Sequence, residues 1–175
     1  MGIRLGRGFK RRGGSTNSSQ GTRSEKPQSA RAFRLKSFFD TSVLVATVLA
    51  QHPHHAASLA TYGRSEKRTS ACAAHSLAEL YAILTRLPGK QRMNADQAML
   101  FLDDVRKRLT IVALTEQEYY STISGAAGEG ILGGTIYDAL LAKCALKSNY
   151  EIIYTWNTGD FSRLGAEVAR RTRTP

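Results

Sequence analysis

A chain of 175 residues is long enough for one domain with a sizeable core and too short for two of ordinary size. Its 25 Lys and Arg against 14 Asp and Glu give a formal charge of +11 at pH 7, but the excess is local: residues 1–36 hold ten basic residues and one acid, Glu25, whereas 37–175 hold fifteen basic and thirteen acidic residues. No run approaches the ~18 apolar residues of a membrane span, and none has the form of a secretory signal, so no membrane role and a cytoplasmic location are expected.

The first 34 residues, MGIRLGRGFKRRGGSTNSSQGTRSEKPQSARAFR, are rich in Gly, Ser and Arg. They lack the apolar surface that would offset the entropy of ordering, which predicts a disordered basic extension able to add salt-sensitive affinity for nucleic acid. A start at Leu35 would instead open the chain directly on LKSFFDTSVLV. The folded domain is expected over 35–175. KSFF is a short apolar strand ending on Asp40, followed by helices over 43–49 and 54–66. His52, His54 and His55 flank Pro53 with no further ligand evident, which predicts a solvated helix start rather than a metal site. TSACAA (69–74) is a small-residue strand, and the apolar spacing of 76–87 gives a helix stopped by Pro88-Gly89. A further helix spans 94–107, a strand 109–114, and Thr115-x-x-Glu118 is a capping box opening the next helix. A glycine loop then leads to a helix over 136–147 and the strand EIIYTW (151–156). Cys72 and Cys144 are far apart among apolar neighbours, as small core residues in a reducing compartment would be.

Strands alternating with helices predict an α/β fold with a mostly parallel central sheet. In such sheets the functional crevice lies beyond the carboxyl ends of the strands. Asp40 falls there, as do Thr155, Asn157 and Asp160 after the last strand, and Glu79 and Asp138 near the starts of their helices. Each acid also has a plainer reading. Asp40 would cap the next helix, Glu79 and Asp138 would complete capping boxes with Ser76 and Thr135, and Asp160 would be a turn acid. Jointly these readings weaken, because four carboxylates at one edge repel one another unless a cation neutralises them. Hard oxygen ligands suit Mg²⁺ or Mn²⁺ and phosphodiester hydrolysis. Arg86, Lys90, Arg92, Lys143, Lys147 and Arg163 are candidates to admit an anionic substrate to such a pocket.

Gly128-x-Gly130-x-x-Gly133 matches the dinucleotide-binding fingerprint by pattern, but an amphipathic helix precedes it where a strand is required. Glu151 begins the next strand instead of ending it. The loop is better read as delivering the Asp138 helix. A hydrolase built on a strand-end D-x-D is also disfavoured, since Asp40-Thr41-Ser42 lacks the second aspartate.

FFDTSVLV, SLAELYAILTRLPG, GGTIYDALLAKCA and IIYTWNTGDFSRL, in this order and spacing, resemble the PIN-domain ribonucleases, and within them the VapC-type toxins of bacterial toxin–antitoxin pairs. The resemblance runs from about Leu35 to the C-terminus and implies a PIN-like, Rossmann-like three-layer domain. Matched residue by residue, it makes Asp40, Glu79, Asp138 and Asp160 the catalytic, metal-holding acids, with Thr155 and Asn157 supporting them. It implies Mg²⁺- or Mn²⁺-dependent endonucleolytic cleavage of structured RNA, usually tRNA or rRNA. It also implies a small VapB-like antitoxin as partner and a homodimer. A housekeeping PIN nuclease for RNA processing, or a non-catalytic RNA-binding PIN module, would share these motifs.

Overall fold

In the computed structural model, which describes residues 35–175, the centre of the domain is set by two adjacent aromatic residues. The predicted disordered extension, 1–34, lies outside the described residues. Strand β1 (Ser37–Phe39) sends Phe38 and Phe39 to opposite faces, as a strand's period of two requires, and both are fully buried. Phe38 packs with Leu141 and Ala145 of α6 (Thr135–Lys147), Phe161 of α7 (Thr158–Arg163) and Val168 of α8 (Ala166–Arg171). Phe39 packs with Val43 and Leu44 of α1 (Thr41–Val48), Leu80 and Leu84 of α3 (Ala74–Arg86), and Leu102 and Val105 of α4 (Ala95–Arg108). The result is three layers, helix on sheet on helix. The two helices not yet placed are α2 (His55–Gly63), which packs on α1, and α5 (Glu116–Gly128), which packs on α6.

The sheet is completed by β2 (Ser70–Ala73), β3 (Thr110–Val112), β4 (Ile152–Tyr154) and β5 (Thr172–Arg173), in the order β3-β2-β1-β4-β5. Among the described residues every pairing is parallel, so the expectation of a mostly parallel sheet is met in full. Phe39 pairs with Cys72 on one side and Tyr154 on the other, so β1, β2 and β4 end level with one another. The small residues Ala71, Cys72 and Ala73 of β2 are buried and bring the flanking helices close. Cys72 and Cys144 are free, buried thiols, pushed up to about 12 and about 11 by burial, as expected of inert core residues.

The capping box of α5 is present as expected: the Thr115 hydroxyl accepts from the Glu118 amide and the Glu118 carboxylate accepts from the Thr115 amide. Asn94 and Gln97 form a second box at the start of α4. Three short elements, α7, α8 and β5, were not foreseen. The glycine segment does not fit the dinucleotide fingerprint, because the helix α5, not a strand, runs directly into Gly128. Gly130 and Gly133 sit at φ +73° and +61°, in the left-handed region that glycine enters without penalty.

The histidine group matches expectation only in part. His54 is stacked on Trp156, with ring centroids 3.7 Å apart and planes 9° from parallel, while His55 Nδ1 lies 3.0 Å from the Ala46 carbonyl oxygen. These rings fasten the α1–α2 turn to the segment leaving β4; His54 precedes the first residue of α2 and is exposed, so the solvated helix start holds for it while its ring also packs.

Candidate active site

All strands point the same way, so the residues that follow β1, β2 and β4 meet at one edge of the sheet. Asp40 is the first residue past β1, and its amide donates to the Tyr154 carbonyl at 2.9 Å, continuing the ladder. Its side chain is only 2% exposed. It occupies the N-cap position of α1 without a side-chain capping bond, so the capping reading fails. Oδ2 instead accepts from the Ser42 hydroxyl at 2.5 Å and the Thr155 hydroxyl at 2.7 Å. Burial pushes the Asp40 carboxyl above the ordinary range, opposed by those two hydroxyls and by the nearby amides of Thr41 and Ser42. Thr155 is held by its amide bond to Arg173 of β5 at 3.0 Å, and its hydroxyl accepts from the Asn157 amide at 2.9 Å.

Glu79 does not complete a capping box with Ser76. The helix begins earlier, at Ala74, so Ser76 is a buried residue of its first turn and Glu79 lies a turn further on. The Glu79 carboxylate accepts from the Thr41 hydroxyl at 2.7 Å and faces His75 Nε2 at 3.6 Å. Asp138 likewise is no partner in a box: Thr135 is already helical, and the N-cap is Gly134, with no side-chain bond. Asp138 is pushed up to about 7, first by burial, then by the charges of Asp40, Asp160 and Glu79, with a hydrogen bond from Asn157 acting the other way. Asp160 lies in α7, not a turn, with Arg163 Nη1 at 3.8 Å.

The structure thus brings Asp40, Glu79 and Asp160 within electrostatic reach of Asp138, with the Thr155 hydroxyl bonded to Asp40 and Asn157 beside Asp138. It also adds residues the sequence did not single out: Thr41, Ser42 and His75. Ser42 carries the clearest signal, since a hydroxyl two residues after a strand-end aspartate is placed to bond back to it. Of the proposed cations, Arg163 is at the site. Lys147 is not: nine residues along α6 from Asp138, roughly 13 Å away on the helix axis, it binds Glu118 at 2.6 Å and the Ala113 carbonyl at 3.2 Å.

Whether these residues suit a metal turns on their chemistry. Among the described residues, no three His, Cys, Asp or Glu side chains stand close enough to enclose an ion as arranged. Mg²⁺, however, keeps several of its own waters and takes one or two carboxylates, so a closed cage is not what it requires. The raised Asp138 marks a cluster whose repulsion a cation would relieve. The donor set fits a hard divalent ion.

A profile described as PIN domain matches residues 37–167, from β1 into α8. The chain belongs to the PIN domain family. Two relatives from Mycobacterium tuberculosis are similar to this PIN domain in sequence. Ribonuclease VapC27 is 33% identical over 114 residues, covering 65% of this chain and 79% of the relative. Ribonuclease VapC40 is 31% identical over 114 residues, covering 65% and 81%. Among solved structures, M. tuberculosis VapC20, a sarcin–ricin loop cleaving toxin, superposes with a TM-score of 0.60 at 14% identity, over 75% of this chain and 98% of that one. VapBC2 of Rickettsia felis, bound to a promoter DNA fragment, superposes with a TM-score of 0.54 at 20% identity, over 80% and 98%. At those identities the structural likeness is one of fold: a PIN domain, three-layered and α/β. Among the described residues no helix is long and apolar enough to cross a membrane.

Proposed function

We propose that this chain is an endoribonuclease of the VapC type, the toxin of a toxin–antitoxin pair, cleaving structured RNA such as tRNA or rRNA with a divalent metal ion. The observation that carries the reading is the convergence of Asp40, Glu79, Asp138 and Asp160, from four separate segments, at the carboxyl edge of the parallel sheet, where burial first and then the other three charges push Asp138 up to about 7. The ribonuclease names of relatives at 31–33% identity support the RNA-cleaving part.

In this reading Asp40, Asp138 and Asp160 would hold Mg²⁺ or Mn²⁺, directly or through its waters, with Glu79 completing the acidic ring. The bound ion supplies positive charge against the scissile phosphate and the leaving oxygen. Glu79, fixed by the Thr41 hydroxyl, orients the attacking water and accepts its proton as the water oxygen bonds to phosphorus and the P–O bond to the leaving ribose oxygen breaks, that oxygen taking a proton from solvent. Ser42 and Thr155 hold the Asp40 carboxylate in one orientation, and Asn157 does the same for Asp138. A small VapB-like antitoxin is the partner, in line with the VapBC assemblies of R. felis and of nontypeable Haemophilus influenzae among the structural neighbours. A homodimer working in the cytoplasm belongs to the same reading.

Induced expression of the chain is expected to arrest growth and to create new RNA 5′ ends at a small number of sites. Asp40→Asn should do neither, and co-expression with the adjacent small gene should restore growth through a stable complex. Cleavage without arrest would point to a housekeeping nuclease. Asp40→Asn cutting RNA at the parent rate in millimolar Mg²⁺ would remove the mechanism.

A further inference from the structure

Four carboxylates at the cleavage site repel the phosphates on both sides of the scissile bond, and an uncharged contact adds a hold on RNA that this repulsion does not oppose. Tyr137 directly precedes Asp138 and offers one. Its ring is 46% exposed, although Ala139, Leu140 and Leu141 beside it on α6 are buried. It is not loose on the surface. It stacks on His75, with centroids 5.0 Å apart and planes 16° from parallel. The His75 ring edge faces Glu79, with Nε2 3.6 Å from its carboxylate. The stack joins α3 in one helical layer to α6 in the other, across the sheet edge that carries the acids. A flat ring, stacked on a second ring and with nearly half of the residue open to solvent, has the form of a platform for a planar ligand. Base–aromatic stacking needs no charge and tolerates every base.

We propose that Tyr137, held flat by His75, is the platform on which an unpaired nucleobase next to the scissile phosphate stacks. This rests on the ribonuclease reading of the same site and adds a residue that selects substrate. A base within a duplex is already stacked on both sides, so the platform favours a nucleotide turned out of a helix. His75 is a positioning residue, and the Tyr137 ring makes the contact.

Two measurements test it. The first uses proteins carrying Asp40→Asn, so that the RNA stays intact, in millimolar Mg²⁺. The probe is a hairpin RNA with 2-aminopurine in its loop, beside the same strand annealed to its complement. The Asp40→Asn protein should quench the loop fluorophore well beyond the duplex one, and adding Tyr137→Ala should remove the difference, whereas Tyr137→Phe should keep it. The second uses the active protein on an RNA it cleaves: Tyr137→Ala should raise KM about tenfold with kcat changed less than about threefold, and Tyr137→Trp should restore KM. Equal quenching with and without Tyr137→Ala, none with either, or an unchanged KM would overturn the platform. A parent chain that cleaves no RNA would overturn the ribonuclease reading instead, and quenching in the first measurement is read without reference to cleavage.

Discussion

Asp138 carries the pH dependence of this domain. An aspartate in the unfolded chain gives up its proton near 3.8, whereas in the fold it holds it to about 7. Stability from this group is therefore complete below about pH 4 and is lost as the pH rises to about 7. The buried Asp40, also raised, acts in the same direction. In EDTA the melting temperature attributable to the pocket should fall between about pH 5 and about pH 8. Asp138→Asn should raise Tm at the upper pH by roughly 3–8 °C and narrow the difference between the two. Mg²⁺ should raise the parent's Tm at about pH 8 and affect the variant less. A variant no more stable than its parent in EDTA would show that the carboxylates do not strain the fold. Thr155→Val tests the opposite sign: it keeps the volume but leaves the buried Asp40 with one hydroxyl donor in place of two. The expected loss is about 1–3 kcal/mol in urea titrations, and a neutral result would mean that water replaces the hydroxyl. The acids themselves were legible because each falls just past a predicted strand or early in a helix. Their plainer readings could not be dismissed from sequence, since a shift of one or two residues in a helix start decides whether Glu79 or Asp138 is a cap. Thr41 and His75 gave no signal, because what they bind lies across the fold or within a helix whose phase was uncertain.

Individual elements were readable in proportion to their length. The helices α3 and α4, of 13 and 14 residues, show their apolar period plainly, whereas α7 and α8 have six residues each and β5 two, too few for a period to emerge. Yet β5 matters, because its Arg173 carbonyl anchors the Thr155 amide. The start of α5 was fully legible, since the capping box is a local pattern. Thr115→Ala should cost about 1 kcal/mol by thermal or urea unfolding, with cleavage rate unchanged below the melting range. A comparable loss of kcat would show that α5 communicates with the acids.

Across the whole molecule, the parallel sheet followed from alternation, but its order did not. Nothing local to KSFF tells that β1 is central, flanked by β2 and β4, because that is fixed by which faces the helices cover. Among the described residues, both apolar clusters are built from residues of 38–168. A chain shortened to begin at Leu35 is expected to unfold cooperatively at a Tm close to the parent's and to cleave RNA, losing at most some salt-sensitive affinity. A shortened chain that fails to fold would assign residues 1–34 a structural part.

The placing of β1 between β2 and β4 has a bearing on synthesis. Asp40 is made early, but the hydroxyl that helps hold its carboxylate belongs to Thr155, 115 residues later, and the backbone partner of its amide is Tyr154. A nascent chain interrupted anywhere before β4 has its first acid and no pocket around it. Premature stops and frameshifts upstream of that strand should therefore yield fragments in which the acidic pocket never forms, and the pocket is completed only after the fourth strand has emerged and docked.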